Sequence, residues 1–139
     1  MAEFQRLPSR IQESVQSQLA ADEQVQLCLL GRSELLTPDF VIITSHRVLV
    51  LDERSIGHFI SASYANIRCN LPFSQITAVK LDRCWKHRVF GQACLEIDKF
   101  NGDKYLINNV SHRDATRAFE LISSQIVRKQ EVEDENRGK

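Results

Sequence analysis

Apolar residues crowd most densely between Phe40 and Asp52, where Phe40–Ile43 and Val48–Leu51 flank the polar group Thr44-Ser45-His46-Arg47. Short β-branched and aliphatic runs around turn residues predict a β-hairpin. Both runs are apolar at successive positions, so each strand is expected to have cover on both faces. The hairpin is the expected centre of the core.

The chain before it is less apolar. Residues 1–6 carry no pattern. Ile11, Val15 and Leu19 recur at helical spacing, and Ser9 with Gln12 makes a capping-box arrangement, which together predict a helix over 9–21. Its stripe is narrow, so the helix docks on a surface and is not engulfed. That surface belongs either to its own domain or to a second subunit. Glu23–Leu30 alternates, with Val25, Leu27 and Leu29 on one face, and reads as the first strand.

After the hairpin, Gly57–Asn70 mixes Phe59, Ile60, Tyr64 and Ile67 with small and polar residues, and reads as one irregular or bulged strand. Leu71–Ile76 leads into an alternating strand, Thr77–Arg83, with Val79 and Leu81 facing inward. Cys84–Phe90 is a basic, aromatic connection. Gln92–Lys99 and Lys104–Asn108 are strands joined at Asn101-Gly102, a hairpin signal because both positions tolerate positive φ. Ser111 and Asp114 form a second capping box. Ala115, Ala118, Phe119, Ile122 and Ile126 then mark one face of a helix running to about residue 129. Arg128 and Lys129 fall in its last turn, where the helix dipole favours cations. Gln130–Lys139 is highly charged and is expected to be disordered.

The sum is a mainly β chain with α elements: a helix, seven short strands and a closing amphipathic helix. That order suggests a small, partly open barrel whose mouth the last helix plugs. The expected organisation is an N-terminal amphipathic helix (1–21), a barrel with its capping helix (22–129) and a tail (130–139).

Composition adds exclusions. With 42% apolar and 26% charged residues over 139 positions, the chain is an ordinary globular one. Lys and Arg number 18 and so do Asp and Glu, so no global field draws it to nucleic acid or an anionic membrane. No run approaches the length of a membrane span and no signal-peptide pattern opens the chain, so a cytoplasmic protein is expected. The four cysteines form no C-x-x-C pair. Cys28 and Cys94 lie in apolar runs and read as buried thiols, not as metal or redox centres.

Several local phrases resemble the bacterial pleckstrin-homology-like (PH-like) domains, close in shape to GRAM and PH domains. They are Ile43-Thr44-Ser45-His46-Arg47-Val48-Leu49, the stretch Leu71-Pro72-Phe73-Ser74-Gln75-Ile76-Thr77-Ala78-Val79, and the helix following Asn108-Asn109-Val110. The likeness spans residues 20–128. It implies a seven-stranded barrel of two near-orthogonal antiparallel sheets capped by the last helix. Family members bind phosphoinositides, peptides or proteins, and some assemble into symmetric oligomers. In the lipid-binding members a basic first loop holds the phosphates. Here that loop, Gly31–Asp39, has one arginine and two acids, so the site is not carried over.

Among exposed candidates, Arg83, Trp85, Lys86, His87 and Arg88 gather cations around the only tryptophan. This group reads as a protein contact, as a lipid-interface contact, or as a solvated rim with Trp85 folded back. Leu35-Leu36 is either an exposed loop tip or tucked beneath the barrel. Thr44–Arg47 has the residues a tight turn needs for its own backbone. His112 lies in the first turn of the last helix. No histidine pair suits zinc, no Gly-rich loop precedes a helix and no nucleophile elbow occurs. Nucleic acid is disfavoured because Glu96 and Asp98 follow the basic stretch closely. The expectation is a non-enzymatic module without cofactor or metal that binds protein, including copies of itself, through Ile11, Val15, Leu19, Arg83, Trp85, Lys86 and Arg88. The alternative is weak peripheral binding to anionic lipid through the Trp85 stretch.

Overall fold

The computed structural model describes residues 2–31, 38–55, 63–83 and 89–137 of the chain. Among them, seven strands form two sheets, ordered β1 (Val25–Gly31), β2 (Asp39–Thr44), β3 (Arg47–Ser55), β4 (Ser63–Pro72) and β5 (Ile76–Asp82), β6 (Gln92–Lys99), β7 (Lys104–Ser111). Seven strands in two sheets and a long helix after β7 match the fold class expected, and the sheets hold four and three strands. Contacts separate the chain into two units, Met1–Leu71 and Pro72–Lys139.

In the first unit the central hairpin is β2–β3, paired antiparallel as Phe40–Leu51, Val41–Val50, Ile42–Leu49 and Ile43–Val48. All six residues of β2 are buried, as continuous apolarity required. Directly opposed residues share a face, so Phe40, Ile42, Leu49 and Leu51 line one side of the sheet. Cys28 of β1 joins them through its pairing with Ile42. Over this face lies α2 (Ser9–Gln18), whose Ile11 and Val15 are fully buried in the same cluster, with Leu19 partly buried beside them. Each such side chain contributes roughly 1.5–3 kcal/mol on removal from water. The N-terminal helix is therefore part of the first unit's core: of the two surfaces the sequence allowed it, its own domain and a second subunit, it packs on its own.

Local details differ from the sequence reading. A short helix α1 (Ala2–Gln5) precedes α2, in a stretch without periodicity. The Ser9–Gln12 capping box does not form, and Pro8 is the N-cap. The Gln12 amide instead donates to the carbonyls of Gln5 (3.0 Å) and Leu7 (2.6 Å), tying the two helices together. Glu23 lies before β1, not in it. β4 runs from Ser63 to Pro72, two residues past the strand expected over Gly57–Asn70, of which residues 57–62 lie outside the described ones.

In the second unit, β6 is central, and α3 (His112–Arg137) packs against β5 and β6 with Ala115, Ala118, Ile122 and Ile126 buried. Ser111 caps α3, its Oγ accepting the Asp114 amide at 3.3 Å, as expected. The helix continues to Arg137, so Gln130–Arg137 carry helical backbone and not the disorder expected. Gln and Glu are good helix formers, and a helix already nucleated by packing extends through them cheaply. The β6–β7 turn differs too. Only Gly102 has positive φ (+92°), while the Asn101 Oδ1 accepts the Asp103 amide at 3.0 Å. Lys99 and Asp103 close a three-residue loop, with Lys99 donating to the Asp103 carbonyl at 2.8 Å.

Candidate functional site

The most organised polar cluster lies where the α2–β1 connection meets the β2–β3 turn. Glu23 is buried there. At Oε1 it accepts from Arg47 Nη2 (2.9 Å) and the Ala20 amide (3.1 Å). At Oε2 it accepts from Arg47 Nε at 2.9 Å and from the Thr44 hydroxyl. About four lone-pair sites of a carboxylate are thereby used, and the arginine fork meets it at two points. Burial pushes the Glu23 carboxyl up, but the hydrogen bonds from Thr44, Ala20 and Arg47, with the Arg47 charge, outweigh it and hold it below its ordinary value of 4.5. Thr44 gives its single proton to Glu23 while accepting the amides of His46 and Arg47, each at 3.0 Å. Arg47 Nη1 also reaches Asn70 Oδ1 on β4 at 3.4 Å. A carboxylate so fully engaged has no lone pair left for substrate. The cluster is a structural tie.

Beside it, Ser45 Oγ stands 3.1 Å from His46 Nδ1, and His46 Nε2 stands 3.5 Å from Asp22 Oδ2. The order serine, histidine, aspartate invites a catalytic reading. However, Ser45 Oγ accepts the Gln24 amide at 3.1 Å, and the Asp22 side chain is almost fully in water. A nucleophile held as a turn acceptor, with an orienting acid open to solvent, lacks the water-excluded setting that gives such hydrogen bonds their strength. The polar turn chemistry expected for Thr44–Arg47 is what these bonds show.

Of the residues expected to meet a partner, Ile11 and Val15 have no exposed surface. For them the expectation needs correction: α2 has its docking surface on its own sheet, so a contact through these two side chains requires α2 to leave it. Arg83 is partly buried and its Nε donates to the Gln92 carbonyl at 3.1 Å, pinning the base of the β5–β6 connection. Trp85, Lys86 and Arg88 lie outside the described residues, as do Leu35-Leu36, His58 and His87. Directly after them come Val89 and Phe90, consecutive and 70% and 73% exposed. Sequence reading passed over this pair as part of a connection. Apolar residues crowded against cations outside a periodic run were the signal available.

The same end of the second unit holds the start of α3, where the His112 amide donates to the Gly91 carbonyl at 2.8 Å. His112 Nδ1 is buried without a hydrogen-bond partner. On the sheet itself Lys80 bridges Glu96 and Asp98, and Lys104 also reaches Glu96, each at 3.6 Å. Lys80 and Glu96 are directly opposed and the other two pairs are diagonal across the strands, and such exposed pairs contribute little stability. Among the described residues, no group of three His, Cys, Asp or Glu is placed to hold a metal ion, and no helix is long and apolar enough to cross a membrane.

No family model and no curated protein matches the chain. Two solved structures do. One is a DUF1696 family protein with a pleckstrin-homology domain from Shewanella loihica PV-4, at TM-score 0.59 and 12% identity, covering 84% of this chain and 90% of that one. The other is a pleckstrin homology domain from Shewanella amazonensis SB2B, at TM-score 0.54 and 12% identity, covering 86% of this chain and 97% of that one. At that identity the likeness is one of fold, and it agrees with the two-sheet, closing-helix order found here: the chain has a PH-like fold.

Proposed function

We propose that this PH-like chain is a non-enzymatic module that binds protein, including copies of itself. The observation that carries the reading is the exposed Val89-Phe90 pair, set directly after the cationic stretch Arg83–Arg88 with its tryptophan. Aromatic and arginine side chains are favoured anchors at protein interfaces, whereas two adjacent bare apolar residues contribute nothing to a free monomer. The contacts proposed are Arg83, Trp85, Lys86 and Arg88 with Val89 and Phe90. The test is size-exclusion chromatography with light scattering on the full chain over a wide concentration range, beside Phe90→Ala and Arg88→Ala. A species heavier than the 16.0 kDa monomer, weakened by either substitution, supports the reading. A monomer at every concentration removes self-association from it.

The same juxtaposition favours a second reading, weak attachment to an anionic membrane surface. Each cation near such a surface adds about 1 kcal/mol, so two or three give salt-sensitive binding. Flotation with neutral and anionic vesicles at two salt concentrations tests it. Binding that ignores lipid charge rules it out.

A further inference from the structure

We infer that the acidic end of α3, Gln130–Arg137, of one copy docks on the Val89-Phe90 surface of another, so that self-association is head to tail. The inference rests on the self-association part of the proposed function and names the segment that fills its surface.

The receiving surface is bordered by cations from two directions. Val89 and Phe90 have helical backbone, which Gly91 ends at φ +65°. The Gly91 carbonyl accepts the His112 amide at 2.8 Å, which sets the start of α3 beside the apolar pair. Arg113 follows His112 at once and Arg117 comes one turn later, both exposed. Arg83 stands on the other side, its Nε on the Gln92 carbonyl at 3.1 Å. Electrostatic complementarity then asks for an acidic partner.

The far end of α3 has that character. Among the described residues, its last buried side chain is Ile126, and Val127, Arg128 and Glu135 beyond it are exposed. The helix nevertheless continues to Arg137, about 16 Å past Ile126 at 1.5 Å per residue. This projecting segment holds Glu131, Glu133, Asp134 and Glu135 against the single cation Arg137. Being helical already, it gives up less conformational freedom on docking than a coil would.

The charges along α3 run with the sign of the helix dipole, where a free helix is steadied by the opposite order. Arg113 and Arg117 occupy its first two turns beside one acid, Asp114, and four acids crowd its end. Arg128 and Lys129, the cations expected in the last turn, fall two turns before it. A departure from local preference on this scale belongs to a functional surface. It becomes favourable when the acidic end of one α3 meets the basic start of another. The zero net charge of the chain conceals this polarity. Because the two surfaces differ, each contact leaves one of each kind open, and assembly proceeds to a ring or a filament.

The experiment is light scattering on full chains at low ionic strength, over a wide concentration range. One variant reverses the tail, Glu131→Lys with Glu133→Lys and Glu135→Lys. The other reverses the receiving end, Arg113→Glu with Arg117→Glu. Both changes suit the helix dipole, so unfolding midpoints at or above wild type are expected. Each variant alone should associate at least tenfold more weakly than wild type. An equimolar mixture should regain the heavier species, because the reversed tail of one fits the reversed surface of the other. A tail variant that associates like wild type, or a mixture that stays monomeric, overturns tail docking and leaves self-association through Val89-Phe90 standing. A wild type that is monomeric at every concentration overturns both.

Discussion

Arg47 holds the buried carboxylate of Glu23 at two points, Nε to Oε2 and Nη2 to Oε1, each at 2.9 Å. The two residues are far apart in sequence, one in the α2–β1 connection and the other opening β3. Removing one member of a buried pair leaves the other charge without a partner. Arg47→Met is therefore expected to destabilise the fold by about 3 kcal/mol, near the low end of such losses because Arg47 retains some exposure. Urea denaturation would show a lower midpoint at unchanged slope. A change below about 0.5 kcal/mol would mean that the pair only breaks even with solvent.

The same carboxylate makes stability depend on pH in one direction. Glu23 is held below its ordinary value of 4.5 in the folded chain, so between the two values the unfolded chain binds more protons than the folded one. Its contribution is complete above about pH 5 and is lost as pH falls through the folded value. The stability difference between wild type and Glu23→Gln should stay flat from pH 7 to 5 and shrink below that. Denaturation curves at half-unit steps down to pH 3 check this, and a difference that stays constant to the lowest pH sinks it.

The hairpin at the centre of the first sheet was legible because its signal is local: successive apolar residues in Phe40–Ile43 and Val48–Leu51 need cover on both faces, and all are buried. Glu23 was not legible in the same way. Its role depends on Arg47 and Thr44, and nothing in the spacing of an acid before a strand shows which turn will fold beside it. The stripe of α2 was legible as a stripe, but periodicity shows that a face is buried without naming what buries it. Ile11 and Val15 met their own sheet. The Asn101-Gly102 turn was read as a hairpin correctly and in the wrong form, since dipeptide preference does not reveal the loop length that β6 and β7 impose. Phe90 was hidden by the opposite problem: a lone aromatic in a connection carries no period, so exposure had to come from the fold.

Ile11 is fully buried against the sheet, so Ile11→Ala should cost about 3 kcal/mol through lost burial and the cavity left behind. Thermal unfolding would register a clear drop in midpoint. A helix that merely rests on the surface would give a change near zero, and α2 would then have to be placed outside the core.

Gly102 adopts φ +92° with open space where a Cβ would project. Gly102→Ala is penalised by backbone conformation alone, by roughly 1–2 kcal/mol. Gly91, at φ +65° and equally open, serves as the control that an L residue tolerates better, because its φ is near the left-handed minimum. Equal losses at both positions in chemical denaturation would contradict the distinction.

Phe90 separates binding from folding. A side chain that is 73% exposed gives up little on truncation, so Phe90→Ala should leave the unfolding midpoint within about 0.5 kcal/mol of wild type. If the residue anchors a partner, the same substitution should weaken association by 2 kcal/mol or more, the range of an aromatic hot spot. Arg83→Ala offers the contrast, since Arg83 Nε secures the Gln92 carbonyl and its loss should loosen the connection itself. Stability and self-association measured in parallel on both variants decide the matter. Loss of association by Phe90→Ala at constant stability assigns the contact to the side chain, whereas equal loss of both properties makes Phe90 a structural residue and removes the pair from the binding surface.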